Sequence, residues 1–182
     1  MSIDRLASQS AAFEKIESIS LDQWQPPFSG DIDICIKSNG EWYHEGVLFT
    51  RSGLVKLFSS LLRKEESDYF LVTPVEKWRI HVEDAPLLVT GMECLAGEGE
   101  TSAAQVISFE TATGDHFRLD PGHPLRWRAS AVKGELKPYI LVRSGLEALI
   151  HRNVYYHLVQ HAEGYRGKLG VWSGGEFWLL EG

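Results

Sequence analysis

The chain has 182 residues, 43% hydrophobic and 24% charged, enough to bury a core in one or two small domains and outside the disordered and collagen-like compositions. Lys and Arg number 18 against 25 Asp and Glu, a formal net charge of -7, which disfavours non-specific attraction to nucleic acid or anionic lipid. Residues 1–19 hold Asp4, Glu14 and Glu17 and no apolar run, so neither a secretory signal nor a membrane anchor is expected there. No stretch approaches the roughly 20 apolar residues of a spanning helix. Cys35 and Cys94 sit in apolar runs and read as buried free thiols rather than a disulfide framework, which points to the cytoplasm.

From Asp4 to Ile19, Leu6, Phe13 and Ile16 recur at loose helical spacing around Ala11 and Ala12, so a helix is expected that ends before Pro26-Pro27. Residues 31–36 alternate strictly, with Ile32, Ile34 and Ile36 on one face, and Asn39-Gly40 reads as a tight type I′ turn into Glu41-Trp42-Tyr43-His44. Val47-Leu48-Phe49 is a third strand. Ser52 can then cap a helix whose core face is Leu54, Leu57, Phe58 and Leu61, ended by Asp68. Extended segments follow at 69–73, at 77–82 where Trp78, Ile80 and Val82 alternate with Lys77, Arg79 and His81, and at 87–95 and 106–111, with a loop at 96–102. Thr113-Gly114 turns the chain into 116–119. Pro121-Gly122-His123-Pro124 is read as the boundary between two halves, followed by strands at 125–132 and 138–142 around a Lys133-Gly134 turn. Val171-Trp172 and 176–180 close the chain as a hairpin. The sum is an α+β chain with mostly antiparallel pairing.

Arg51-Ser52-Gly53-Leu54 returns as Arg143-Ser144-Gly145-Leu146. Both copies follow a hairpin with Gly-Glu at its turn (Gly40-Glu41, Gly134-Glu135) and an apolar strand. Both precede apolar residues at helical spacing, Leu54/Leu57/Phe58 and Leu146/Leu149/Ile150, so a second short helix is expected. Tyr69-Phe70-Leu71-Val72 is echoed by Tyr156-His157-Leu158-Val159, which reads as strand. A period of about 90 residues is too long for a solenoid and indicates duplicated halves; the alternative is two unrelated β-rich stretches that share a tetrapeptide. On the duplication reading, 1–30 is an N-terminal helix and linker, 31–85 a first repeat domain that the strands of 86–120 connect or extend, and 121–182 a second. Each domain is β-rich with one short helix.

A serine or glycine at a helix start exposes backbone N–H groups, and an adjacent arginine adds a forked donor suited to carboxylate or phosphate. Glu147, three residues past Ser144, completes a capping-box pattern in which Ser144 does no more than cap. Residues 123–143 carry a net +4, with Trp127 and Tyr139 among Arg126, Arg128, Lys133, Lys137 and Arg143, while 92–120 carry -5. Arginine beside aromatics holds bases and phosphates; the competing reading is a solvated strand face paired with its acidic neighbour. His157 and His161, read on a strand, would stand about 13 Å apart at about 3.3 Å per residue, too far to share a metal. His116 and His123 with Asp115 and Asp120 form a second polar cluster. No metal or cofactor is expected. Phosphate-loop, dinucleotide-fingerprint, Gly-x-Ser-x-Gly and Cys-x-x-Cys motifs are absent.

Several blocks in order resemble the bacterial family of unknown function DUF1285: Asp31-Ile32-Asp33-Ile34 through Asn39-Gly40-Glu41-Trp42-Tyr43, Phe49-Thr50-Arg51, Leu57-Phe58-Ser59-Ser60, Tyr69 to Lys77, Asp84-Ala85-Pro86, His123-Pro124-Leu125-Arg126, Pro138-Tyr139, Val142 to Ala148, and Gly170-Val171-Trp172-Ser173-Gly174. The resemblance spans nearly all of the chain beyond its first twenty or so residues. It implies a two-domain β-rich fold with internal duplication and a second domain loosely like pleckstrin-homology folds. It also implies a ligand pocket at the domain interface, of nucleotide-like type, and a role in signalling; it brings no catalytic residues. Combined with the residue reading, Arg51, Trp42, Tyr43, Glu76 and Lys77 from the first half are expected opposite His123, Arg126, Tyr139 and Arg143 from the second. Arginines would take an anionic ligand's charge, and Trp42 and Tyr139 would stack on it. The rivals are a hydrolase using His123 with Glu76 or Asp120, and a protein-interaction module.

Overall fold

A computed structural model describes residues 21–95 and 102–180. The helix expected within 4–19 and most of the loop at 96–102 lie outside the described residues. The chain divides into two units, one of Met1–Lys37 with Glu41–Val82 and one of Ser38–Gly40 with Glu83–Gly182.

In the first unit, alternating apolar residues make β1 (Phe28–Ile36), which forms an antiparallel meander with β2 (Trp42–His44) and β3 (Val47–Leu48). The helix α1 (Ser52–Ser60) follows, then a second meander of β4 (Leu62–Glu65), β5 (Asp68–Val72) and β6 (Lys77–Val82). β6 lies parallel to β1, giving the sheet order β3-β2-β1-β6-β5-β4. Ile34, Ile36, Trp42, Phe58, Leu62 and Leu71 are almost fully buried and make the centre of its core.

Three local expectations change here. Only Gly40 (φ +84) is left-handed in the loop of the first hairpin, and Lys37 N–H donates to the Glu41 carbonyl at 2.8 Å. The loop is therefore three residues long, since a type I′ turn needs two left-handed residues. Glu45 (φ 50) and Gly46 (φ 77), between the paired His44 and Val47, meet that requirement instead. Ser52 does not cap α1: Arg51 is the extended N-cap residue, and no side chain caps the helix. The helix also stops at Ser60. Leu62 and Arg63 pair with Leu71 and Phe70, because Glu66 (φ 53) lets the chain reverse within two residues, so strand pairing overrides the helical spacing.

In the second unit, β7 (Leu87–Leu95), β8 (Val106–Thr111) and β9 (His116–Arg118) form one antiparallel meander. β10 (Leu125–Ala129), β11 (Leu136–Arg143) and β12 (Leu146–Ile150) form another. β12 runs parallel to β7, and the order is β10-β11-β12-β7-β8-β9. The helix α2 (Arg152–Gln160) comes next, then a three-stranded antiparallel sheet of β13 (Glu163–Tyr165), β14 (Lys168–Ser173) and β15 (Glu176–Leu179).

This topology moves the divide. The boundary expected at Pro121 falls between strands of one sheet, and the chain divides between Val82 and Glu83. It also changes what the second Arg-Ser-Gly-Leu is. Ser144 (φ 42) and Gly145 (φ 76) form the turn between β11 and β12, and the expected helix at Leu146 is a strand whose buried residues are Leu146, Ala148 and Ile150. The helix lies at 152–160, where a strand was read.

Both units nonetheless follow one path: two three-stranded meanders joined by parallel pairing of the first strand with the last. The duplication resides in that path and not in the shared tetrapeptide, whose first copy opens a helix after the third strand and whose second copy joins the fifth strand to the sixth.

Candidate functional site

In the second unit, β12 ends beside β7, with Leu149 opposite Leu88 and the His151 N–H donating to the Val89 carbonyl at 3.1 Å. The chain then enters α2 directly. His151 is its N-cap, the Nδ1 accepting from the Asn153 N–H at 3.3 Å. A pocket of about 720 Å³ opens where this strand-to-helix junction meets the start of β11. Leu88, Leu149, Ile150, Leu136 and Pro138 supply its aliphatic wall, and Trp127 and Tyr155 its aromatic one. Ser38, Asn39, Thr90, Lys137, His151, Arg152 and Asn153 are its polar members.

The aromatic wall is held from behind. Trp127 and Tyr155 meet edge to face at 5.7 Å. The Trp127 indole N–H donates to the Leu179 carbonyl at 3.2 Å, and the Tyr155 hydroxyl to the Leu180 carbonyl at 2.9 Å. The polar tips of these two half-buried rings are thus satisfied by the backbone of residues 179 and 180, which orients both. Gly40 supports Asn39 on the rim: a Cβ there would stand 3.0 Å from Leu88 Cβ.

Among the described residues no carboxylate lines the pocket, although acidic residues outnumber basic ones in the chain. Lys137 is half-buried and has no ion-pair partner among the described residues. Arg152 is exposed, its Nε donating to the Tyr156 hydroxyl. A concave apolar site with a few convergent polar groups and a positive balance is the chemistry of an organic-anion site.

None of the nine residues named from sequence lines this pocket. Arg51 is exposed at the start of α1. Trp42 is 2% exposed in the first unit's core, its faces covered by protein. The Tyr43 hydroxyl donates to Glu41, Glu76 accepts from the Trp78 indole, and Lys77 pairs with Glu65 at 2.8 Å. In the second unit, Arg126 is exposed on β10, and Arg143 pairs with Asp115. His123 Nδ1 lies 3.1 Å from Asp120 Oδ1, which also accepts the Gly122 and His123 N–H groups, so the pair closes a turn. Burial pushes the Asp120 carboxyl up, but those donors more than offset it and hold it below the usual range.

Tyr139 is fully buried, with Arg128 stacked 3.5 Å from its ring and its hydroxyl donating to Asp84 at 2.7 Å. Asp84 also accepts from Ser130 at 2.9 Å, the Ala131 N–H at 3.2 Å and Arg128 at 3.1 Å. Burial raises the Asp84 carboxyl; this donor set outweighs it and leaves the group lowered. Burial, then Asp84, pushes Tyr139 up to about 12. The network fastens the start of the second unit to β10 and β11 and leaves Tyr139 no face for a ligand.

His157 and His161 lie on and just after a helix, not on a strand, so the separation expected from strand geometry does not apply. Among the described residues no group of three or more His, Cys, Asp or Glu is placed to hold a metal, and no helix is long and apolar enough to cross a membrane. Sequence reasoning did flag the stretch 123–143, where Trp127 and Lys137 stand, for basic residues among aromatics. It missed His151, Arg152, Asn153 and Tyr155 because it placed the second helix too early.

The fold and the site together define a two-unit β-rich protein with an apolar, positively balanced pocket. Family models for the N-terminal domain of DUF1285 and the C-terminal domain of DUF1285, both of unknown function, match residues 20–85 and 86–180; the chain belongs to the DUF1285 family. It is similar to the crystal structure of a DUF1285 family protein from Silicibacter pomeroyi DSS-3, at 41% identity and a TM-score of 0.81, over 89% of this chain and 86% of that one. It is also similar to one from Shewanella baltica OS155, at 28% identity and a TM-score of 0.55, over 71% of this chain and 91% of that one. No curated protein matches the chain.

Proposed function

We propose that this chain is a non-catalytic, cytoplasmic binding protein for a small organic anion, and that the pocket between β11, β12 and α2 is its site. The observation that carries the reading is the lining: apolar and aromatic walls, Lys137, His151 and Arg152, and no acid among the described residues, in a chain of net charge -7. A long-range field that repels anions makes a carboxylate-free pocket with an unpaired ammonium a specific feature. The nucleotide-type ligand implied by the family resemblance falls within this class, Trp127 taking over the stacking role first given to Trp42 and Tyr139. A crevice between the halves is no part of the proposal.

A protein that holds a small anion without turning it over suits a signalling role, in which occupancy is the message. A single helix directly after the six-stranded sheet speaks for the pleckstrin-homology-like reading of the second unit. The test is calorimetric titration with nucleotides and organic carboxylates, on the native chain and on Leu149→Trp, which thrusts an indole into the pocket. Saturable binding lost in the variant is the expected result; no heat from any member at millimolar concentration, with folded protein, overturns the reading.

A further inference from the structure

We infer that the occupant of this pocket is an amphipathic carboxylate, an acyl or aryl acid with one negative end, in preference to a nucleotide; the inference rests on the pocket being the ligand site. Charge stoichiometry comes first. Of the pocket's two permanent cations, Lys137 is half-buried and has no acidic partner among the described residues, whereas Arg152 is exposed and engaged with Tyr156 through its Nε and across the ring at 5.2 Å. One compact ammonium matches one carboxylate. Phosphate chains call for forked donors or a nest of free backbone N–H groups.

The start of α2 is a poor substitute for one. The first turn of α2 has no glycine, and its Asn153 N–H is already taken by His151 Nδ1. With one of its few outward N–H donors spoken for, this helix start is weakened as a phosphate cradle. The ribose is equally ill-served, because its hydroxyls are commonly held by a carboxylate and the lining has none. What the lining does offer is hydrocarbon: Leu88, Leu136, Pro138, Leu149, Ile150 and the Trp127 indole. At about 720 Å³ it can take up a chain or ring system well beyond the charged end.

Decanoate, octanoate, decanol and AMP, titrated below micelle-forming concentrations and followed by amide chemical shifts of the full chain, test this. Decanoate is expected to bind saturably and move the amides of Lys137, Leu149 and Asn153, with octanoate weaker by about fourfold per methylene removed. Lys137→Gln is expected to weaken decanoate about tenfold and leave decanol unchanged, the loss of one charge pairing. The amide spectrum itself reports that the variant is folded. If AMP moves these amides and decanoate does not, or if Lys137→Gln leaves decanoate unaffected, the ligand class is overturned while the pocket stands. If no probe moves them, both readings fall.

Discussion

Asp84 accepts four hydrogen bonds from Tyr139, Ser130, Arg128 and the Ala131 N–H, and a buried carboxylate is tolerable only with such company. Tyr139→Phe removes one donor and leaves its charge under-solvated, so unfolding in urea is expected to show a loss of about 1.5–3 kcal/mol. Gly40 is a second single-atom constraint, left-handed at φ +84 with Leu88 Cβ 3.0 Å from where its own Cβ would be. Gly40→Ala is expected to cost about 1 kcal/mol or more and to move the Leu88 methyl resonances. Asn39-Gly40 was legible as a turn from its letters alone. Its loop length was not, because that depends on the Lys37–Glu41 pairing across the hairpin.

Strands β6, β7 and β8 have the bounds read from the sequence; for β6 the ground was alternation, since a period of two over six residues admits few other readings. The five residues of β12 did not, because Leu146, Leu149 and Ile150 fit a helix as well as Leu146, Ala148 and Ile150 fit a strand. What decides is the left-handed pair Ser144-Gly145, which makes a two-residue turn between two strands. Leu146→Ala is therefore expected to cost about 2–5 kcal/mol, as for a deleted core side chain. Leu149→Ala, half-exposed on the pocket wall, should cost clearly less. Denaturant midpoints of the two variants check this, and equal losses would count against the strand assignment. The same ambiguity hid the candidate site: α2 carries Val154, Tyr155, Tyr156 and Val159, residues that favour strands, and its start is signalled only by a histidine acting as cap.

Across the whole molecule, pH acts through the two units' own charge networks. The Glu65 carboxyl in the first unit is held down chiefly by Lys77, against burial and with help from Arg63, and Asp84 in the second is lowered by its donors. Groups held down contribute stability that is present above their ordinary values near 4 and is lost as pH falls through the lower folded values. Tyr139 acts at the other end. Raised to about 12 from an ordinary value near 10, it contributes stability that is intact below about pH 10 and is lost between there and about 12. Unfolding free energy measured against pH is expected to show a plateau with both limbs, and Tyr139→Phe to flatten the alkaline one. The duplication was legible only as a suspicion, because its true basis is a strand path and short strands of different sequence can trace the same path.

That path, in which each sheet is sealed by its first strand lying alongside its last, bears on how the protein is made. On the ribosome β1 must wait for residues 77–82 and β7 for residues 146–150, with every intervening hairpin free to form earlier. Closure of such distant pairs is slow, and an unsealed inner strand presents a bare edge to neighbouring chains. Premature termination just short of either sealing strand therefore yields a fragment with most of a sheet and an open seam, the form from which aggregation would start.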